Sequence, residues 1–183
     1  MRKVLGVAAL VMALLPSQAL AQEEGKVGVT MGFPSGLGLL WHVTEDIAIR
    51  PELTFSWASS ESDFGDSDGF GIGTGVSALF YLNRSDNLAT YISPRYSFSR
   101  ATTERRFDED VPVIDPETET TSRSHAFSGS FGAQYFLGSR FSVFGEVGLT
   151  YQRSSSDSEF GEDPTSSTFG TRSQVGVVLY LSR

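Results

Sequence analysis

Phe141-Ser142-Val143-Phe144-Gly145-Glu146-Val147-Gly148-Leu149-Thr150-Tyr151 reads differently on its two parities. Odd positions give Phe141, Val143, Gly145, Val147, Leu149 and Tyr151. Even positions give Ser142, Phe144, Glu146, Gly148 and Thr150, with Gln152 next. Side chains alternate across a strand with period two, so this stretch is a sheet segment with an apolar face and a polar face.

The pattern recurs to make eight segments, and the apolar parity is assigned to the outside. The first is Val27, Val29, Met31, Phe33 and the second Leu37, Leu39, Trp41, Val43. The third runs from Ile47 to Trp57 with Arg50 and Glu52 inward. The fourth runs from Phe70 to Leu82 with Gly69, Gly71, Gly73 and Gly75 inward. The fifth, Leu88 to Phe98, turns Arg95 inward, and the sixth runs from Phe127 to Leu137. The opening stretch is the seventh, and the eighth, Phe169 to Leu181, turns Arg172 and Gln174 inward. Most approach the ~9–11 residues that a tilted membrane strand requires.

Ahead of them, Met1-Arg2-Lys3 is basic, Val4 to Leu15 is apolar, and Pro16-Ser17-Gln18-Ala19-Leu20-Ala21 ends in a small-x-small pattern. These are the parts of a secretory signal. They predict cleavage after Ala21 and one domain from Gln22 to Arg183. A spanning helix takes ~20 apolar residues, and no stretch reaches that length, so a membrane crossing must be made by strands. The net charge of −8 argues against a nucleic-acid partner. The absence of cysteine removes disulfide and thiolate chemistry.

The connections alternate in length. Thr44-Glu45-Asp46, Asn83 to Asn87 and Gly138-Ser139-Arg140 read as tight turns; Ser59 to Ser67, Ala101 to Ser122 and Ser154 to Ser167 read as long polar loops. Short periplasmic turns with longer outer loops are the habit of membrane barrels. The tight Pro34-Ser35-Gly36 is the exception among the outer connections. Aromatics gather near one rim: Phe33, Trp57, Phe70, Phe98, Phe127, Tyr151 and Phe169. A girdle at the lipid–water boundary produces this. Unpaired backbone groups in hydrocarbon cost several kcal/mol each, so the sheet must close. The expected fold is all-β: an eight-stranded antiparallel up-and-down transmembrane β-barrel, both termini periplasmic. Pro51 and Pro94 lie mid-strand and predict a bulge at each.

Ile49-Arg50-Pro51-Glu52-Leu53-Thr54-Phe55 and Ile92-Ser93-Pro94-Arg95-Tyr96-Ser97-Phe98 resemble phrases of the small outer-membrane β-barrel proteins. That group is similar to the transmembrane domain of outer membrane protein A and to the opacity proteins. The resemblance implies a monomer in the bacterial outer membrane, inserted by the barrel-assembly machinery. Members usually end in an aromatic recognised by that machinery, whereas this chain ends Leu179-Tyr180-Leu181-Ser182-Arg183. Some small barrels modify lipid A, and the deacylases among them carry a His-x-Ser pair. Here His125-Ala126-Phe127 puts Phe127 at the serine position, and neither His125 nor His42 has an evident partner, so no catalytic residues are assigned.

Three constellations remain. Inward parity gathers Arg50, Glu52, Arg95, Glu146 and Arg172, with Gln134, Gln152 and Gln174 nearby. An eight-stranded lumen holds side chains only, so these charges are expected to pair as an internal plug; a gated ion path is the alternative. Outward parity places Arg100, Arg123 and Arg153 at the outer ends of neighbouring strands. Guanidinium forks bind phosphate, so this cluster is read as a lipopolysaccharide contact, with Arg105 and Arg106 as possible additions. The outer loops are acidic, with Glu61, Asp63, Asp66 and Asp68 in one, Asp108, Glu109, Asp110, Asp115, Glu117 and Glu119 in the next, and Asp157, Glu159, Glu162 and Asp163 in the last. They show no calcium-loop spacing and read as a solvated surface; no metal or cofactor is expected. The expected role is non-enzymatic, structural in the envelope or in surface contact, with a lipid A-modifying enzyme and a narrow ion pore as alternatives.

Overall fold

The computed structural model describes residues 24–34, 36–62, 65–107, 117–158 and 164–181. The proposed signal segment, 1–21, therefore lies outside the described residues. So do Asp63, Asp108, Glu109, Asp110, Asp115, Glu159, Glu162, Asp163, Ser182 and Arg183.

Eight strands follow one another: β1 (Val27–Phe33), β2 (Leu37–His42), β3 (Ile47–Ser62), β4 (Gly65–Ser85), β5 (Leu88–Phe107), β6 (Glu117–Phe136), β7 (Phe141–Ser158) and β8 (Thr165–Tyr180). Each pairs antiparallel with its chain neighbour, and β1 closes the ring on β8 through rungs such as Val29↔Leu179. The fold is an up-and-down β-barrel. Its apolar parity faces out in every strand: Phe55, Leu82, Phe131, Val147 and Leu179 are exposed. Arg50, Glu52 and Glu146, on the other parity, are no more than 4% exposed. A water-soluble barrel buries its apolar face; this one wears it. Only a lipid surround makes such an exterior favourable, so the barrel is transmembrane.

The short turns form one end, which is periplasmic by the habit of such barrels. The Thr44 hydroxyl accepts the backbone N–H groups of Asp46 (3.3 Å) and Ile47 (3.1 Å), holding the β2–β3 turn. The β4–β5 turn is tighter than the Asn83–Asn87 span that the sequence suggests, because the rung Ser85↔Leu88 leaves only Asp86 and Asn87 to cross.

At the other end, most of the polar stretches read as loops are strand. β3 and β4 stay paired to Ser62↔Gly65, β5 and β6 to Arg106↔Glu117, and β7 and β8 to Ser155↔Thr165. Apolar alternation marks a strand only where one face meets lipid. Beyond the bilayer both faces meet water, and the hydrogen-bond ladder continues without it. β1 and β2 do not take part. The rungs Phe33↔Val175 and Leu37↔Leu53 are the last on their respective sides. The wall is therefore low at the β1–β2 hairpin and tall elsewhere. Gly36 seals that hairpin against β3, where a Cβ would lie 2.0 Å from the Leu53 carbonyl oxygen.

The bulges expected at Pro51 and Pro94 are absent. At each proline the register is the same on both sides of a two-rung gap: Gly38↔Glu52 resumes at Trp41↔Ile49, and Ser77↔Arg95 at Phe80↔Ile92. Across the opposite neighbour both prolines stay in rung, as Pro51↔Val76 and Pro94↔Gly129. Proline lacks one donor, which faces one neighbour only, so the sheet drops rungs there instead of adding a residue. The register shift lies elsewhere, between Tyr81 and Asn83 of β4.

Candidate functional site: the layered lumen and the outer basic band

The inward residues stack in three layers. The lowest is a floor that the sequence reading missed. Tyr81, Tyr91, Tyr180, His42, Phe136 and Phe144 all turn inward and are buried, with Leu40, Leu79 and Val178 among them. Their polar atoms are tied together. The Tyr81 hydroxyl donates to Gln134 Oε1 (2.9 Å), and Gln134 Nε2 donates to Ser142 Oγ (2.6 Å) and the Tyr180 hydroxyl (2.9 Å). His42 Nε2 and the Tyr180 hydroxyl are 3.3 Å apart. Lys26 and Arg84 lie over the Tyr180 and Tyr81 rings, each 4.6 Å from the centroid, a cation–π arrangement at the floor's edge. The signal for this floor was available: large inward residues recur at the turn ends of β4 to β8.

Above it sits the charged layer. Arg50 reaches both carboxylates, Nη2 to Glu146 Oε1 at 2.7 Å and Nε to Glu52 Oε1 at 3.3 Å. Arg95 pairs with the other Glu52 oxygen. Tyr91 rises from the floor to donate to Glu146 Oε1 at 2.9 Å, and Gln174 Nε2 donates to Glu52 Oε1 at 3.3 Å. Glycines make the room. A Cβ on Gly75 would lie 3.2 Å from Arg95 Nη2, and one on Gly132 would lie 2.5 Å from the Tyr91 ring.

Two expectations need correction. Arg172 joins the layer but not its pairing: among the described residues no carboxylate lies within 4.0 Å of it, and it donates to the Gln174 amide oxygen. Its position on β8 places it above the two carboxylates, not between them. The three glutamines separate as well. Gln174 belongs to the charged layer and Gln134 to the floor, while Gln152 stands in the wall above, donating to Ser154 Oγ (3.1 Å).

The top layer is open. A cavity of about 500 Å³ occupies the upper lumen, with Arg95 and Arg172 at its base and Thr54, Ser97, Ser128, Thr150 and Gln152 on its walls. The lumen is thus packed with side chains only in its lower part. Small inward residues above the charged layer leave the remainder unfilled.

On the outer face, the ladder brings the three arginines together. Arg100 stands directly opposite Arg123, and Arg153 stands opposite His125, the next outward residue on β6. Just below lie the aromatics: the Phe98 ring is 5.0 Å from His125, and Phe127 is 5.0 Å from Tyr96. Phe127, Tyr151 and Phe169 of the expected girdle share one line of rungs across β6 to β8, where β5 contributes Tyr96, and Phe98 stands one outward position higher. Just above lies an acidic row, with Asp68, Glu104 and Glu119 in one line of rungs. Asp157 reaches down to Arg123 (3.4 Å), both side chains about half exposed. Arg105 and Arg106 continue the β5 backbone, but their side chains, like that of Glu117, lie outside the described residues. Each histidine proves to have a partner, and in both cases it is a phenol: His42 has Tyr180, and the Tyr96 hydroxyl lies 2.8 Å from His125 Nδ1.

No protein-family model and no curated protein sequence matches the chain. Similar solved structures include the following two. One is a major outer membrane protein from Thermus thermophilus, at 11% identity and TM-score 0.58, covering 85% of this chain and 98% of that one. The other is CarO2 of Acinetobacter baumannii, at 14% identity and TM-score 0.43, covering 85% and 97%. The first likeness is one of fold, and the fold it shares is that of an integral outer-membrane β-barrel.

Proposed function

We propose that this chain is a small, non-enzymatic integral protein of the bacterial outer membrane, closed to ion flow, whose basic band holds the phosphates of lipopolysaccharide in the outer leaflet. In this reading it is a monomer and a distant relative of the transmembrane domain of outer membrane protein A and of the opacity proteins. One observation carries the lipid contact. Arg100 and Arg123 share a rung, where like charges repel unless an anion lies between them. Arg153 and His125 extend the same band, and the exposed rings of Phe127 (60%) and Phe169 (69%) lie where acyl chains would begin. Guanidinium groups grip phosphate in bidentate fashion, and aromatic rings favour the level beneath headgroups. The buried floor and the Arg50–Glu52–Glu146 pairs support closure.

The test is a triple replacement, Arg100→Ser, Arg123→Ser and Arg153→Ser. Heat-modifiable gel migration should be retained, and lipopolysaccharide co-purifying with the protein should fall at least several-fold. Undiminished lipopolysaccharide on a folded triple variant defeats the proposal. Lipid A of unchanged mass on expression, and a flat trace in planar bilayers, are the outcomes expected against an enzyme and against a pore.

A further inference from the structure

The charged layer is unbalanced. Among the described residues it holds three arginines, Arg50, Arg95 and Arg172, against two carboxylates, Glu52 and Glu146. Arg50 engages both acids and Arg95 shares one, so the excess charge resides on Arg172. That guanidinium meets a neutral oxygen, Gln174 Oε1, which Arg95 Nη1 also approaches at 3.5 Å. Two cations thus converge on one amide at the base of the 500 Å³ cavity. A guanidinium has five donors in a planar fork, and one amide oxygen leaves most of them unused. The cavity wall supplies hydroxyls from Thr54, Ser97, Ser128 and Thr150, and among the described residues no carboxylate lines it. Beneath is the packed aromatic floor, which keeps water from screening the site from below.

We propose that this vestibule is a binding site for an oxyanion of the phosphate type, gripped by Arg172 with Arg95 beside it and surrounded by the hydroxyls of Ser97, Ser128 and Thr150. The site is separate from the outer basic band, since its residues take the opposite parity. The anion has two routes in. It can descend from the outer mouth as a free solute. It can also enter sideways as the headgroup of an amphiphile, over the low β1–β2 hairpin, where Pro34 borders the cavity. The recognised chemistry is the same in both.

Calorimetric titration of the barrel in a non-ionic detergent, with inorganic phosphate in one arm and dodecyl phosphate in the other, tests the proposal. Saturable one-site binding of at least one probe is expected. Arg172→Gln should weaken it tenfold or more, and Arg172→Lys, with charge but no fork, should fall between. Ser97→Phe, which fills the vestibule and leaves both arginines in the chain, should abolish it and guards against misfolding of the arginine variants. Binding of dodecyl phosphate alone assigns the sideways route, and binding of inorganic phosphate assigns the mouth. The proposal is overturned if neither probe saturates, or if a folded Arg172→Gln or Ser97→Phe protein binds as the parent does.

Discussion

Below the Arg50–Glu52–Glu146 layer, β4, β5 and β6 turn Tyr81, Tyr91, Gln134 and Phe136 into the lumen. Above it, the same strands on the same parity turn in Gly71, Gly73, Ser97, Ser99 and Ser128. The same strands and the same parity run through both halves, so side-chain volume decides between a packed plug and an open vestibule. The packed half holds ionised groups away from water, where each must find its partner. The open half leaves groups solvated, so their interactions contribute little to folding and remain available to a ligand. Parity says which side a residue faces; what that facing costs depends on how full the lumen is at that height.

The sharpest way to break this division is to truncate one residue in each half of a single strand. Glu146 and Thr150 both face inward from β7. Glu146→Ala removes the acceptor for Arg50 and for the Tyr91 hydroxyl, leaving a guanidinium that is 1% exposed with Glu52 alone. Removing one partner of a buried ion pair costs about 3–5 kcal/mol. Thr150→Ala loses a hydroxyl that accepts from Ser128 Oγ at 2.9 Å in the vestibule wall, and about 1 kcal/mol is expected. Urea unfolding in detergent, followed by the gel-mobility shift of the folded barrel, gives both values. Equal losses would erase the distinction between the halves.

The sequence carried the division only in part. Two-sided alternation gave every strand's facing, since lipid and lumen impose opposite demands on alternate residues. It faded at Ser59–Ser62 and at Thr102–Glu104, where water lies on both sides and nothing distinguishes the parities, so paired strand read as loop. The charged layer was legible because Arg50, Glu52, Arg95 and Glu146 stand out on an inward face. The isolation of Arg172 was not, because it depends on how far along β8 the side chain sits from two acids on β3 and β7. The floor could have been read: Tyr81, Tyr91, Phe136, Phe144 and Tyr180 are all inward and all near strand ends at the short turns. The emphasis on inward polar residues hid it.

A smaller effect probes how full the floor is. Gly132 on β6 lies against the Tyr91 ring, whose nearest carbons would be 2.5 Å from an added Cβ. Gly132→Val therefore displaces Tyr91 from Glu146, and overpacking of this kind costs about 1–3 kcal/mol. The control is Gly69→Val in the tall wall above the vestibule, where the closest atom to a Cβ is Thr103 Oγ1 at 3.6 Å. That variant should unfold at the parental urea midpoint. A Gly132→Val protein that did the same would mean that Tyr91 has slack and that the floor is looser than its burial indicates.

The smallest stability effect comes from outside the lumen, where the comparison predicts a separation of folding from binding. Arg123 and Asp157 form an ion pair with both side chains about half exposed. Pairs so placed contribute at most about 1 kcal/mol, because water and salt screen them. Asp157→Asn should therefore leave the urea midpoint almost unchanged. It removes a carboxylate that reaches down into the basic band, so Arg123 is released toward whatever anion lies beside Arg100. Co-purifying lipopolysaccharide should rise, the opposite sign to the triple serine variant, and the increase should shrink as salt is raised. A fall on Asp157→Asn would mean that the acid positions Arg123 for the lipid instead of competing for it. The basic band would then be a preorganised site, closer in kind to the charged layer inside than to an ordinary wet surface.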